Sequence, residues 1–172
     1  MKNSKFKIYI FAICILQLAF SLSSCGYRLI GSGLLPFNSV TIKPVQNRTY
    51  EPRLEERLHN ALAKEFINQG IEVRASGGDI GLEPVITAFQ LGAIGAIDNE
   101  VKEQSIIMNV DIKLTDRGKI TEFKAMESPI KITFQSTGTV TESVARKETA
   151  TDKACREIAK EIVGRIILTY AK

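Results

Sequence analysis

Few residues in this 172-residue sequence could do chemistry, and the first to weigh are its three cysteines, Cys14, Cys25 and Cys155. A thiol can pair, ligate a metal, attack a substrate or carry a covalent group. Three widely spaced cysteines build no disulfide framework, and a metal site would need histidines or paired cysteines at ligand spacing. The chain has one histidine, His59, which follows Leu58 in a helical pattern where a lone imidazole reads as a solvated or boundary residue. Glu55 and Glu56 are adjacent, so on a helix they diverge and make a poor acid/base pair. Gly77-Gly78 reads as a turn rather than a phosphate cradle, and no nucleophile elbow, Walker loop or dinucleotide fingerprint is present. The residues point away from catalysis and metal binding.

Cys25 differs from the other thiols in where it stands. The run Ile8 to Leu22 is apolar apart from Gln17 and Ser21, and Lys2, Lys5 and Lys7 precede it without an acid. That is the layout of a secretory signal, and it is short against the roughly 20 residues of a spanning helix. The stretch "Leu22-Ser23-Ser24-Cys25" resembles the bacterial lipobox, in which the cysteine is lipidated and becomes the first mature residue. At about 0.8 kcal/mol per buried methylene, several acyl chains hold a protein far more firmly than one. The alternative is a conventional signal with an incidental cysteine at its edge. Gly26 is not the aspartate that marks inner-membrane retention in enterobacterial lipoproteins, so the analogy sends the protein to the outer membrane, facing the periplasm. Without the three signal lysines, the 23 basic and 19 acidic residues become 20 against 19, so the sequence pI of about 9.0 is no nucleic-acid footprint.

The remaining elements follow from periodicity. Ser39 to Val45 alternates as a strand, with Pro44 marking its end or an edge position, and Gln46 to Thr49 reads as a turn. From Pro52, Leu54, Leu58, Ala61, Leu62 and Phe66 form one helical face, Glu55 and Glu56 lie in the first turn, and Gly70 is placed to stop the helix. Ile71 to Val73 suggests a short strand before a Gly-rich bend. Val85 to Ile97 is apolar on both parities and contains Gly92 and Gly95, which predicts a strand partly buried on both faces and bent at the glycines. Ile106 to Leu114 alternates, Asp116-Arg117-Gly118 closes a hairpin into a strand with Ile120 and Phe123, and Ile130 to Phe134 supplies another strand. Ala154, Ile158, Ile162, Ile166 and Tyr170 mark a second helix, widened by Cys155, Ala159 and Val163, so Cys155 reads as a core residue. The predicted fold is an α+β two-layer sandwich, with two amphipathic helices on one face of a roughly four-stranded, mostly antiparallel or mixed sheet. The expected organisation is a signal over 1–24, the lipidated cysteine and tether over 25–38, and one domain over 39–172. Leu34, Leu35 and Phe37 near its start could dock on a partner or cover the domain's own core; we favour the second.

The segment from Cys25 to Phe66 resembles the lipopolysaccharide-assembly lipoproteins of the LptE family. The resemblance rests on Cys25, Gly26 and Tyr27, then Leu35 and Pro36, then Asn47, Thr49, Glu51, Pro52, Leu54 and Glu55. It implies a non-catalytic outer-membrane lipoprotein that plugs an LptD-like β-barrel, supports its assembly and helps deliver lipopolysaccharide to the outer leaflet. No cofactor is expected beyond the covalent lipid on Cys25, and no nucleic-acid partner. Basic residues would meet the lipopolysaccharide phosphates; the candidates are Arg146 and Lys147, placed in the loop before the second helix, and Lys102, beside the turn Asp98 to Glu100. The alternative is a lipid-anchored periplasmic protein-binding module of another envelope-assembly machine.

Overall fold

The computed structural model describes residues 35–97 and 100–170. Strands β1 (Ser39–Ile42) and β2 (Gln46–Asn47) lead to helix α1 (Leu54–Asn68). Strands β3 (Glu72–Val73), β4 (Ile80–Ile97), β5 (Glu100–Asp116), β6 (Lys119–Met126) and β7 (Ile132–Gln135) follow, and helix α2 (Val140–Tyr170) closes the chain. The sheet runs β3-β1-β4-β5-β6, with β2 beside β4 and β7 beside β5. It is mixed: β1 is parallel to β3 and β4, while β4, β5, β6 and β7 pair antiparallel. Both helices bury one stripe against one face of this sheet, as the periodicity predicts, although the sheet has more strands than the four expected.

The helix faces are those the spacing marked. Leu54, Leu58, Leu62 and Phe66 of α1 are buried, as are Ala154, Cys155, Ile158, Ala159, Ile162, Val163 and Ile166 of α2. They meet Val40, Ile42, Leu82, Ile86, Val110, Ile112 and Leu114 of the sheet in a single core. Gly70 ends α1 in a Schellman motif: its φ is 76°, its N–H donates to Ile67 O at 2.9 Å, and Ile71 N–H donates to Phe66 O at 2.9 Å. Phe37 joins the core and Leu35 packs against it, so these two cover the domain itself; Leu34 lies outside the described residues.

Three strand readings need correction. The strand expected over 39–45 ends at Ile42, and Gln46–Asn47, read from the sequence as part of a turn, forms β2, because Lys43, Pro44 and Val45 oppose only Glu83 and Pro84 of β4. Neither proline has an N–H to give, so the ladder breaks where they face each other. The strand expected at Val85 starts at Ile80, and its double-sided apolarity does not mean two buried faces. A bulge between Ile86 and Ala88 leaves Thr87 unpaired and reverses parity, so the helix-side residues are Leu82, Pro84 and Ile86 before it and Phe89 and Leu91 after it, opposite Met108 and Ile106. A further irregularity falls at Gly95, as expected, but Gly92 pairs regularly with Ser105. Finally, β7 begins at Ile132, and Ile130 is exposed.

Candidate functional site

Of the residues that carried the resemblance, Asn47, Thr49, Glu51 and Glu55 converge on a joint between β2, the start of α1 and α2. The Asn47 side chain accepts from Thr49 N–H at 3.0 Å and from the Thr49 hydroxyl at 2.8 Å, an Asx turn that reverses the chain after β2. Its amide donates to Glu51 O at 2.8 Å and to Glu55 Oε2 at 3.1 Å. Glu51 in turn accepts from Lys147 Nζ at 2.8 Å, with both side chains more than two-thirds buried. Lys147 also lies 5.9 Å from the centre of the Phe89 ring. On the same helix, Asp152 and Glu148 hold Arg57 of α1, whose side chain is 15% exposed. Polar side chains thus clamp the two helices together above the apolar stripe.

Arg146 and Lys147 do not sit in a loop: α2 begins at Val140, so both lie in its second turn. The missed signal was local. Thr139 and Glu142 form a capping box, in which Thr139 N–H donates to Glu142 Oε2 at 2.9 Å and Glu142 N–H donates to Thr139 Oγ1 at 3.3 Å. Gly138, at φ 95°, makes the preceding turn, where a Cβ would lie 2.5 Å from that carboxylate. Arg146 donates to the carbonyls of Gln135, at 3.0 Å from Nε, and of Thr137, covering the outer edge of β7. Lys102 is half-buried in β5, where its carbonyl accepts from Ser136 N–H at 3.0 Å. Arg146 and Lys147 are neighbours on one helix but point to different partners. The turn at 98–99 and Cys25 both lie outside the described residues.

The sheet face away from the helices carries a second polar feature. Lys43 Nζ lies 2.6 Å from Glu83 Oε1, Lys113 lies 3.9 Å from Glu83, and Lys124 lies 3.5 Å from Glu122, which pairs in register with Lys113. Opposite charges therefore alternate from Lys43, just past β1, across β4, β5 and β6, along a groove of 610 Å³. The Lys43 ammonium, then Lys113, holds the Glu83 carboxyl below the usual carboxylate range. Asp111 in the same groove accepts from Ala125 N–H at 2.8 Å and supports the bulge that Ala125, at φ 49°, introduces into β6. At the start of β1, Asp79 accepts from Asn38 N–H at 2.9 Å and from the Ser39 hydroxyl at 2.9 Å. The Asn38 amide, then the Ser39 hydroxyl, lowers its pKa.

His59 is half-buried on α1, and Cys155 is 1% exposed, its thiol pushed up to about 12 by burial. Among the described residues no group of three or more His, Cys, Asp or Glu side chains could hold a metal, and no helix is long and apolar enough to cross a membrane.

The described residues thus form a two-layer α+β domain with a clamped pair of helices and one charged sheet face that neither helix covers. Residues 37–166 match the family described as LptE, lipopolysaccharide-assembly, and the chain belongs to that family. Among solved structures it is similar to rare lipoprotein B from Shewanella oneidensis, at 14% identity and a TM-score of 0.54, covering 77% of this chain and 96% of that one. It is also similar to a Xanthomonas campestris protein, at 15% identity and a TM-score of 0.54, covering 80% and 89%. At these identities the likeness is one of fold. No curated protein sequence matches significantly.

Proposed function

We propose that the protein is a lipid-anchored outer-membrane subunit of the lipopolysaccharide translocon, plugging an LptD-like β-barrel, supporting its assembly and assisting delivery of lipopolysaccharide to the outer leaflet. The observation that carries this reading is the family match over residues 37–166. Two features of the domain support it. A plug must be rigid, and the Asn47, Glu51, Lys147 and Arg57 contacts tie helices and sheet together. It must also present polar surface to a hydrated lumen, as the alternating charges of Lys43, Glu83, Lys113 and Glu122 do. The domain acts by binding rather than by catalysis, and Cys25 is the proposed anchor, in an organisation of signal over 1–24, tether over 25–38 and domain beyond.

The test is copurification from outer membranes. A stoichiometric complex with a large β-barrel is expected, and recovery of the chain on a different envelope machine would replace this reading with that one. Arg146, Lys147 and Lys102 remain the proposed contacts for lipopolysaccharide phosphates. Lys147 would have to exchange Glu51 for phosphate, and Arg146 its two carbonyls, so binding through them would loosen the α2 end of the joint. Loss of lipopolysaccharide binding in Arg146→Ala/Lys147→Ala, with folding retained, is the expected result; unchanged affinity discards them.

A further inference from the structure

The chain enters the domain at one well-defined end. Arg117 of the β5–β6 turn reaches the Pro36 carbonyl at 3.5 Å. The Phe37 ring packs edge-on against Tyr170, with centroids 5.1 Å apart, and the Tyr170 hydroxyl donates to Asp116 at 3.1 Å. Glu72 N–H donates to Asn38 O at 2.9 Å, which brings the end of α1 to the same place. The start of β1, the β5–β6 turn and the last turns of both helices therefore share one end of the fold.

That end carries exposed apolar side chains. Ile67, Ile120 and Leu168 are 62%, 54% and 61% exposed, each within a few residues of the contacts just named. Exposed apolar side chains also stand elsewhere, Val140 and Val144 at the start of α2 among them, so exposure alone does not choose an end and the tether must. The acids at the end where the chain enters are occupied: Asp116 by Tyr170 and Arg117, Glu72 by Arg74 at 2.7 Å, and Asp79 by Asn38 and Ser39. The Arg117 side chain is 79% exposed and Lys119 is exposed beside it. Exposed apolar side chains beside the cations Arg117 and Lys119 make a surface that can lie on anionic lipid headgroups.

Covalent geometry supplies the partner. Ten peptide links separate Cys25 from Leu35, so the tether spans at most about 35 Å and on average about 18 Å if flexible. The 18 residues of β4 run about 55 Å toward the opposite end. We propose that the end bearing Arg117 and Lys119 rests on the anionic headgroups of the leaflet that holds the anchor, with Ile67, Ile120 and Leu168 seated among them. The inference rests on the reading of Cys25 as the anchor.

The test uses the full chain reconstituted into vesicles of phosphatidylcholine and phosphatidylglycerol that contain a headgroup-level nitroxide lipid. A fluorescent unnatural residue replaces either Ile120 or Val144, the latter lying about 40 Å along α2 from Tyr170. Quenching at 120 is expected to be at least about threefold that at 144, and to fall at least about twofold in Arg117→Glu/Lys119→Glu. Should that double variant lose its circular-dichroism signal, Leu168→Ser provides the same comparison with no charge change. Equal quenching at the two positions, or quenching that neither variant lowers, overturns the proposal. A chain that does not stay with the vesicles overturns the anchor as well, and the mass of the N-terminal peptide, with or without acyl chains on Cys25, reports on the anchor alone.

Discussion

Replacing Asn47 with alanine tests whether the residues from Asn47 to Glu55 are a structural joint. The side chain makes four hydrogen bonds, three of them part-buried and one, to Glu55, exposed. Each is worth about 0.5–1.5 kcal/mol net, and water can replace some of what is lost at a half-buried site. The expected loss is therefore about 2 kcal/mol, roughly 5–8 °C in Tm for a domain of this size. Urea denaturation followed by circular dichroism should show a lower midpoint at unchanged slope. Asn47→Asp keeps the acceptors for Thr49 but turns a carboxylate toward Glu55 Oε2 and the Glu51 carbonyl, so at neutral pH it should be at least as destabilising as alanine. A stability within about 0.5 kcal/mol of wild type in Asn47→Ala would refute the joint. A variant that kept full stability but lost its barrel partner would instead make Asn47 a contact residue.

Thr139→Ala should remove the α2 cap at a cost of about 1 kcal/mol, read as a lower urea midpoint; no change would mean that the capping box is idle. Leu58, fully buried, should cost about 2–5 kcal/mol as Leu58→Ala, and a smaller loss in the same assay would contradict the core described. The Asp79 carboxyl is held below its ordinary range, so its contribution is present above the unfolded aspartate pKa and lost as pH falls below about 4. Asp79→Asn should accordingly flatten the acid limb of the stability profile, and an unaltered acid limb would show that the Asn38 and Ser39 contacts carry no pH dependence. Cys155, with its thiol raised to about 12, should resist iodoacetamide in the native protein and react only on unfolding; stoichiometric labelling under native conditions would contradict its burial.

Much of the scaffold is legible in local pattern, for reasons that are themselves local. A helix that must bury one stripe repeats its apolar residues every three or four positions, so Leu54 to Phe66 and Ala154 to Ile166 could be placed on the core before any contact was known. A strand half-buried on one face alternates, and Ile106, Met108, Val110, Ile112 and Leu114 are all buried while Ile107 is exposed. Gly70 announced the end of α1, and Thr139-Val140-Thr141-Glu142 announced the start of α2, although that second signal went unread and displaced Arg146 and Lys147 into a loop. In β4 the apolarity on both parities misled, because the bulge at Thr87 swaps the two parities between faces without any glycine or proline at that position to mark it.

By itself the sequence determined which residues seek the core and where α1 begins and ends, because each depends on spacing along the chain. Only the tertiary structure decided what the polar residues do. Lys147 meets Glu51 and Arg57 meets Asp152 across nearly a hundred residues of sequence. Tyr170 closes on Asp116 and Phe37, and Lys43 meets Glu83. A charged side chain carries no periodicity that names its partner; the pairing is set by where folding of the apolar stripes brings distant segments together.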